Sequence, residues 1–378
     1  MVLKKKTVFL RFFVAKSRKL CYNENTVYNE EKGSLAMSEV TLGRTGITTN
    51  KNGFGALPIQ RISTADAGKL LRKAYDNGVT YFDTARAYSD SEEKIGKALS
   101  DVRSKIYIAT KSGAKDAKTL KKELETSLRT LRTDYIDVYQ LHNPSFCPKP
   151  GGEDGLYDAL LQARQEGKIR FISITNHSVR VAQEAVDSGL YDTMQFPFNY
   201  LSAPVEFDLV KSCKEKNIGF IAMKALSGGL ITNSAAAYAW LNQYDNVLPI
   251  WGVQRESELD EFLSYMQNEP QLTDELRAVV EKDQKELAGN FCRGCGYCMP
   301  CPAGIEINNC ARMSLMLRRS PSAQWLGHTW KAKMKKIEQC LHCNQCASRC
   351  PYHLDTPALL AANYEDYKQV LAGKTKVQ

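Results

Sequence analysis

The chain has 378 residues, of which 43% are hydrophobic and 25% charged, and its formal net charge is +9. This length suits one large α/β domain with an appendage, and the ordinary hydrophobic fraction excludes a wholly disordered chain. No run of 18 consecutive apolar residues occurs, so we expect no membrane-spanning helix and no membrane partner. Nine of the 12 cysteines lie between Cys292 and Cys350, which is typical of an enzyme that carries a metal-binding thiolate module.

The positive charge is concentrated in a leader segment, residues 1–36. This segment holds eight Lys and Arg against three Glu, a balance of +5, which leaves only +4 for the rest of the chain. Because the remainder is small, we expect no nucleic-acid partner. Arg11 interrupts the apolar run of the leader and no A-x-A cleavage pattern follows, so an export signal is not indicated. We expect that translation begins at Met37, that residues 1–36 are upstream or disordered sequence, and that the protein is cytoplasmic.

From about residue 50 onward, short β-rich runs alternate with segments that carry helical signals. Leucines at three- and four-residue spacing between residues 120 and 131 line one face of a predicted helix. Ser178 is a good N-cap and Gly189 a good C-terminal stop for another. We predict strands at residues 53–57, 80–83, 105–110, 137–142, 170–175, 193–196, 219–223 and 247–253.

Strands that alternate with helices indicate parallel strands joined by right-handed crossovers. Eight such units in about 220 residues match the count and size of a (β/α)8 barrel, the TIM barrel. The competing architecture, a doubly wound open sheet, would normally show a G-x-G-x-x-G turn after its first strand, and the sequence has none. We therefore predict an α/β fold built on a TIM barrel.

In such a barrel the active site forms at the C-terminal ends of the strands. Those ends carry Asp83, Lys111 and His142, and Tyr88 lies in the loop after Asp83. A tyrosine with a pKa near ~10 is a poor acid at neutral pH, but a neighbouring Lys lowers that pKa and an Asp can hold the Lys in place. A neutral His beside the Tyr can orient a substrate carbonyl. The four residues therefore predict carbonyl reduction with Tyr88 as the proton donor.

Each of these residues, taken singly, has a plainer explanation. Asp83 could cap the following helix, Lys111 could be a solvated surface residue, and His142 could be a satisfied core residue. Tyr88 is one of 18 tyrosines. Their order at successive strand ends is what favours a shared site.

Three longer stretches resemble the aldo-keto reductase superfamily. They read FDTARAYSDSEEKIGKAL at 82–99, IATKSG at 108–113 and LRTLRTDYIDVYQLHNP at 128–144. The resemblance covers roughly residues 41–268 and implies that the tetrad of the family is intact here. Its members would be Asp83, Tyr88, Lys111 and His142.

The same resemblance implies a nicotinamide cofactor. The stretches SITNHS at 173–178 and MQFPFNY at 194–200 match the family segments that hold the carboxamide, which implies Asn176 and Gln195 as cofactor ligands. The stretch AMKALSGG at 222–229 resembles the pyrophosphate loop of the family, with Ser227 as a donor. Where many members carry an Arg for the 2′-phosphate of NADPH, this chain has Glu258, so NADPH preference would depend on Arg255. The cofactor is therefore NADPH or NADH.

The tail holds two cysteine runs that each end in Cys-Pro. Their spacings are C-x2-C-x2-C-x2-C-P from Cys292 and C-x2-C-x2-C-x3-C-P from Cys340. The second run matches bacterial ferredoxins, in which three close thiolates bind one cubane and the fourth binds the other. Zinc is the alternative, although zinc sites typically use C-x2-C pairs with a longer spacer. We predict two [4Fe-4S] clusters with crossed ligand sets: Cys292, Cys295, Cys298 and Cys350 for the first, and Cys340, Cys343, Cys346 and Cys301 for the second.

The segments between the two runs have helical character, so the tail resembles a helical ferredoxin domain. We predict an aldo-keto reductase TIM barrel at residues 37–272. A small, mainly helical, two-cluster ferredoxin-like domain is predicted at 273–378.

The leading hypothesis is an iron–sulfur oxidoreductase of the aldo-keto reductase type. It would reduce a small-molecule carbonyl substrate with NADPH or NADH and exchange electrons through two [4Fe-4S] clusters, with a redox protein as a possible partner. Nicotinamide moves two electrons as hydride whereas each cluster moves one, and no flavin motif is readable to link them. In one alternative the clusters are only structural or sensory in a plain carbonyl reductase. In the other, the barrel is a docking scaffold for an electron-transfer protein and has no carbonyl reductase activity.

Overall fold

The computed structural model describes residues 38–287, 291–319 and 322–377. These residues all belong to one compact unit. The predictions made for the leader, residues 1–36, lie outside the described residues. None of the helices in the described ranges combines the length and apolar composition needed to cross a membrane.

Ten strands form a small hairpin and a closed barrel. The hairpin pairs the first two strands antiparallel, and the other eight are parallel neighbours in chain order, with the last strand closing on the third. This confirms the eight predicted strands and the TIM barrel. The strands are β1 (Glu39–Thr41), β2 (Thr48–Asn50), β3 (Gly53–Gly55), β4 (Tyr81–Asp83), β5 (Tyr107–Ser112), β6 (Ile136–His142), β7 (Ile169–Thr175), β8 (Thr193–Pro197), β9 (Gly219–Met223) and β10 (Val247–Gly252).

A ring of helices surrounds the barrel. Each helix turns an apolar face toward the strands, as the leucines of the third helix do: all four predicted positions between 120 and 131 are buried. These helices are α1 (Thr64–Asp76), α2 (Ser91–Leu99), α3 (Ala117–Leu131), α4 (Leu156–Gln165), α5 (Val179–Ser188), α6 (Pro204–Glu215), α7 (Ser234–Asn242) and α8 (Glu256–Gln267). Short 3-10 turns occupy Pro58–Arg61, Ser100–Lys105 and Ser227–Gly229.

The predicted bounds of α5 are confirmed, but its N-cap residue does not make the side-chain hydrogen bond expected of a cap. The helix begins after Ser178 and ends at Gly189, whose φ of 67° is the left-handed conformation that favours glycine. Ser178 makes no capping hydrogen bond with its side chain. Asn176 instead holds the turn that leads into the helix, because its Oδ1 accepts from the backbone N–H groups of His177 and Ser178 at 2.9 and 2.8 Å.

The hairpin closes the N-terminal end of the barrel. Val40, Leu42 and Ile47 pack with barrel-interior side chains such as Tyr81 and Val138 in one apolar cluster. A much larger cluster fills the layer between strands and helices. The opposite, C-terminal end of the barrel is therefore the end left for a site.

The C-terminal region is mainly helical, as predicted. Its helices are α9 (Asp274–Glu286), α10 (Ile307–Cys310), α11 (Met313–Arg319), α12 (Ala323–Leu326), α13 (His328–Lys335), α14 (Gln345–Ser348) and α15 (Thr356–Leu371), with a 3-10 turn at Lys336–Gln339. Residues from 287 onward, joined by Leu230 of the barrel, build a second apolar core. Helix α9 lies beyond the predicted boundary at residue 272, yet it packs on the barrel. Val280 belongs to the barrel core, and Tyr200 donates to Asp283 at 2.5 Å.

Candidate active site

Strand register brings the predicted tetrad together at the C-terminal end of the barrel. Asp83 ends β4 and His142 ends β6, while Lys111 is the penultimate residue of β5. Lys111 pairs in register with Gln140, and His142 with Thr175. Side chains of adjacent strands at one level of a parallel barrel point into the same space. Tyr88 follows in the loop before α2.

Asp83 and Lys111 form a buried ion pair. Lys111 Nζ donates to Asp83 Oδ1 at 2.6 Å and to the carbonyl of Thr84 at 2.7 Å. Gln140 Nε2 donates to the other carboxylate oxygen at 3.1 Å. Burial raises the pKa of Asp83 and lowers that of Lys111, and the pairing opposes both shifts. The pair can therefore stay charged only while both partners are present.

Tyr88 and His142 lie directly above this pair. The Lys111 ammonium is 5.3 Å from the centroid of the Tyr88 ring, and the Tyr88 and His142 rings meet edge to face at 6.0 Å. Burial lowers the pKa of His142 to about 3, with the Lys111 charge acting in the same direction. His142 is thus neutral at physiological pH, as the role of orienting a carbonyl requires.

The expected lowering of the Tyr88 pKa is not found. Burial raises the pKa of Tyr88, and the charge of Asp83 adds to the rise. The prediction gave Asp83 only the role of holding Lys111 in place and left out burial and the effect of the Asp83 charge on the tyrosine. Because the Asp83 carboxylate lies only 2.6 Å from the Lys111 ammonium, the two charges largely offset each other at the tyrosine.

The two predicted carboxamide ligands are buried and already bonded. Asn176 donates from Nδ2 to the carbonyl of Pro144 at 2.9 Å. Its Oδ1 accepts from the backbone N–H groups of His177 and Ser178, just before α5. Gln195 donates from Nε2 to Asp83 at 3.4 Å, and its Oε1 has no partner among the described residues. Both side chains belong to residues that are only 1% exposed.

The C-terminal region covers this end of the barrel. His177, which follows Asn176, shares a hydrogen bond of 2.9 Å between its Nδ1 and the hydroxyl of Tyr352, and its ring lies 4.9 Å from that of Tyr297. Both tyrosines come from the cysteine runs. Lys224, which follows β9, donates to the carbonyl of Arg293 at 3.1 Å. The segment that carries the first cysteine run therefore lies against the mouth of the barrel.

Ser227 and Arg255 lie in different surroundings. Ser227 is 5% exposed and lines a small pocket together with Lys224, Arg293 and Tyr352. The Arg255 side chain is 72% exposed, and its guanidinium donates to Glu258 at 2.6 Å across the first turn of α8. Arg255 is therefore paired within its own helix rather than directed to the mouth.

The second proposed set of cluster cysteines lies around one cavity, which with its opening encloses about 380 Å3. All four members line it, namely Cys301, Cys340, Cys343 and Cys346, and Cys298 of the first set borders it as well. Within the first set, burial raises the pKa of the Cys292 thiol, and Cys295 and Cys350 act on it in the same direction. These three thiols are therefore neighbours, although Cys350 belongs to the other run.

No three His, Cys, Asp or Glu side chains of the described residues come close enough to share a single metal ion. A cubane has a different requirement, since its four thiolates each bind a different iron around a wider volume. Cys310, the cysteine left over by the two runs, is fully buried in the second apolar core. Cys310 therefore packs as a small hydrophobic residue.

Two family models match the chain. The model of the aldo/keto reductase family matches residues 47–236, and that of a 4Fe-4S dicluster domain matches residues 291–355. The chain belongs to the aldo/keto reductase family. It carries, in addition, a fused 4Fe-4S domain at its C-terminal side.

Known relatives agree with this assignment. L-galactose dehydrogenase of Arabidopsis thaliana is 30% identical over 210 residues, which are 50% of this chain and 66% of that protein. Aldo-keto reductase YhdN of Bacillus subtilis is 30% identical over 216 residues, 52% of this chain and 64% of that protein. The chain thus spans just under two thirds of the length of these two relatives. An aldo-keto reductase from Klebsiella pneumoniae, solved in complex with NADPH, is 23% identical, with a TM-score of 0.57 over 66% of this chain and 95% of that one.

Sequence reasoning missed the residues that join the aldo/keto reductase barrel to its 4Fe-4S domain. His177 and Lys224 follow β7 and β9, so the rule that strand ends carry the site could have selected both. Tyr297 and Tyr352 lie inside or beside the Cys-Pro runs, in which only the cysteines have a spacing that indicates a function. Arg312 has no such signal, because nothing in its local sequence indicates that the helix it precedes packs against the barrel.

Proposed function

We propose that this protein is an iron–sulfur oxidoreductase that reduces a small carbonyl compound at Tyr88 and His142. The observation that carries the proposal is the buried Asp83–Lys111 pair beneath the two rings. Such a pair is costly to bury, and a purely structural barrel end has no need of it. Neutral His142 would orient the carbonyl oxygen, and the Tyr88 hydroxyl would supply a proton to it.

The reaction takes up two electrons and two protons, converting an aldehyde or ketone into the corresponding alcohol. One proton reaches the carbonyl oxygen from Tyr88, which regains a proton from solvent. The carbonyl carbon gains the two electrons and the second proton; a nicotinamide would supply these together as hydride, whereas one-electron donors would leave the second proton to come from solvent. Because burial raises the pKa of Tyr88, the hydroxyl stays protonated until the oxygen of the substrate gains negative charge. Asp83 holds Lys111 in place, and the Lys111 ammonium offsets the negative charge of Asp83 beneath the tyrosine.

The family relation and the NADPH-bound neighbour from Klebsiella pneumoniae support NADPH or NADH as the reductant. The residues proposed to hold the nicotinamide do not fit that group in the described arrangement. Asn176 and Gln195 are 1% exposed, and Tyr297 and Tyr352 cover the adjoining His177. No hydride step is therefore assigned to these residues.

The cysteines fit two [4Fe-4S] clusters on the proposed crossed sets. The N–H of Gly294 donates to Cys292 Sγ at 3.4 Å, a bond typical of cluster thiolates, and Arg312 Nε is a buried donor without a partner among the described residues beside the same run. When bound, the clusters would supply electrons one at a time. The closed mouth supports this supply, because Tyr297 of the first cysteine run lies against the ring of His177 at 4.9 Å, which places that run beside the site.

The matched variants Tyr88→Phe and Tyr81→Phe test the catalytic role. Tyr81 is a fully buried barrel tyrosine whose hydroxyl has no partner among the described residues, so its loss should leave activity intact.

Anaerobically purified protein should contain about eight iron atoms per chain. It would be assayed on small aldehydes and ketones with NADPH, NADH or a one-electron reductant. We expect Tyr88→Phe to lose about 100- to 10,000-fold in rate with its iron content unchanged. Equal activity of Tyr88→Phe and Tyr81→Phe would refute the proposal.

A further inference from the structure

Two cations, the half-buried Lys224 and the buried Arg312, lie against the first cysteine run. Lys224 comes from the barrel, and its ammonium donates to the carbonyl of Arg293, between Cys292 and Cys295. Arg312 comes from the tail, and its guanidinium donates to the carbonyl of Gly228 at 3.1 Å. The guanidinium also lies against Gly294, because a Cβ built there would be 2.7 Å from its central carbon.

Neither cation has a carboxylate partner within 4 Å among the residues that the structure describes. Glu206 lines the same small pocket as Lys224, but its carboxylate, which accepts the N–H of Ala203 at 2.9 Å, forms no ion pair with either cation in the described part of the chain. Arg312 is only 9% exposed, and its Nε has no acceptor in this part of the structure. A buried cation without an anion is unfavourable, so the arrangement requires a negative group at this position.

The local backbone is shaped to bring the cations close. Gly228 and Gly294 have φ of 65° and 63°, in the left-handed region that favours glycine, and both lie against the Arg312 guanidinium. Lys224 itself has a φ of 56°, which costs a non-glycine residue about 1 kcal/mol or more. This strain turns Lys224 away from the strand direction and toward the cysteine run.

The thiolates of the first run can supply the negative charge that the two cations lack. A [4Fe-4S] cluster with four thiolates carries about −2, and about −3 after it takes up one electron. Burial lowers the pKa of both Lys224 and Arg312, and the nearby thiols of Cys292 and Cys295 act in the opposite direction. The two cations therefore gain most from a cluster that is reduced.

We infer that Lys224 and Arg312 form a cationic seat for the cluster held by Cys292, Cys295, Cys298 and Cys350. The seat raises the reduction potential of that cluster by stabilising its more negative, reduced form. Since Lys224 belongs to the barrel, the potential depends on the barrel and tail being docked. The loop at residues 222–229, which resembles the pyrophosphate loop of the family, thus lies against the proposed iron–sulfur cluster of the same chain. This inference rests on the proposed presence of the clusters.

Potentiometric titration followed by electron paramagnetic resonance tests the seat in the full holoprotein. In Lys224→Met we expect one of the two cluster signals to become at least tenfold less reduced at a fixed solution potential, which is about 59 mV for a one-electron couple. The second signal should not move and serves as an internal control. Lys122→Met, which removes an exposed lysine of α3, should move neither signal.

The conservative variants Lys224→Arg and Arg312→Lys separate charge from packing. If Lys224→Met loses the first cluster altogether, Lys224→Arg must restore it for the inference to stand. A cluster lost in both Lys224 variants, or a Lys224→Met protein with both clusters present and both potentials unchanged, would overturn it. A wild-type protein without iron or without cluster signals would instead refute the proposed clusters, and so the two failures are distinguishable.

Discussion

At the level of single residues, the end of the barrel is organised around charges that water does not reach. Lys111 and Asp83 are 1% and 2% exposed, and each satisfies the other at 2.6 Å. Gln140 and Gln195 add hydrogen bonds to the carboxylate. The rigidity of this base fixes the ring of Tyr88 above it. The proposed proton donor is therefore positioned by residues that do not themselves contact a substrate.

Removing one partner of this pair should be costly. Lys111→Met leaves the Asp83 carboxylate buried and uncompensated, so we expect a loss of about 3–5 kcal/mol in the free energy of unfolding. The double variant Asp83→Asn/Lys111→Met should lose much less than the two single variants together, because no uncompensated charge then remains. Urea unfolding of the four proteins measures the cycle. Additive losses would show that the two charges do not stabilise each other.

His142 gives the folded protein a pH dependence of known sign. Burial lowers its pKa from 6.5 to about 3, so the unfolded chain binds a proton below pH 6.5 that the folded chain refuses. Stability should therefore fall as the pH decreases from 6.5 toward 3, by up to about 1.4 kcal/mol per pH unit for this residue.

The variant His142→Gln isolates this contribution. It removes the group, so its apparent free energy of unfolding should fall less steeply between pH 6.5 and 5 than that of the wild type. His177, whose pKa burial lowers well below its usual value, remains in both proteins and contributes equally. Urea unfolding at several pH values compares the slopes, and identical slopes would contradict a neutral His142.

At the level of elements, the helix ring depends on one close approach between α2 and α3. A Cβ built on Gly96 of α2 would lie 2.3 Å from the carbonyl oxygen of Thr130. This oxygen is a backbone atom of α3, so it cannot move aside as a flexible side chain could. We expect Gly96→Ala to destabilise the protein by about 1–3 kcal/mol. Gly68→Ala in α1 is the matched control, since nothing lies within 4 Å of its Cβ position.

The control should move in the opposite direction. Alanine has the higher helix propensity, so Gly68→Ala should stabilise by about 0.4–1 kcal/mol. Thermal unfolding midpoints of the two variants measure the difference. A Gly96→Ala protein as stable as Gly68→Ala would mean that α2 and α3 can separate at no cost.

The regular elements could be predicted from the sequence, whereas the contacts across the junction could not. Buried parallel strands read as short apolar runs and α3 repeats its leucines on one face, so local patterns determine both. The contact of His177 with Tyr352 joins residues 175 positions apart, and the approach of Arg312 to Gly228 joins residues 84 apart. No local periodicity in the sequence indicates such contacts, because they depend on how the surface of the folded barrel fits that of the folded C-terminal region. The tetrad was predictable because strand ends converge by symmetry of the barrel.

At the level of the whole molecule, the 4Fe-4S domain and the barrel share one site. The tail supplies Tyr297 and Tyr352 to the barrel mouth, and the barrel supplies Lys224 to the first cysteine run. The second cysteine set lies farther out, with Cys343 exposed to solvent. For the two proposed clusters, this order would let electrons enter at the outer cluster and be used beneath the inner one. The docked tail also contacts His177, the residue that adjoins Asn176.

A single-turnover experiment tests this account most directly. The holoprotein would be reduced with dithionite, freed of excess reductant under anaerobic conditions, and mixed with small aldehydes and ketones in the absence of any nicotinamide. The account predicts that the signals of the reduced clusters decay while up to one alcohol forms per chain, and that Tyr88→Phe keeps its clusters reduced. Clusters that stay reduced in the wild type, with a carbonyl that NADPH does reduce on the same protein, would contradict it.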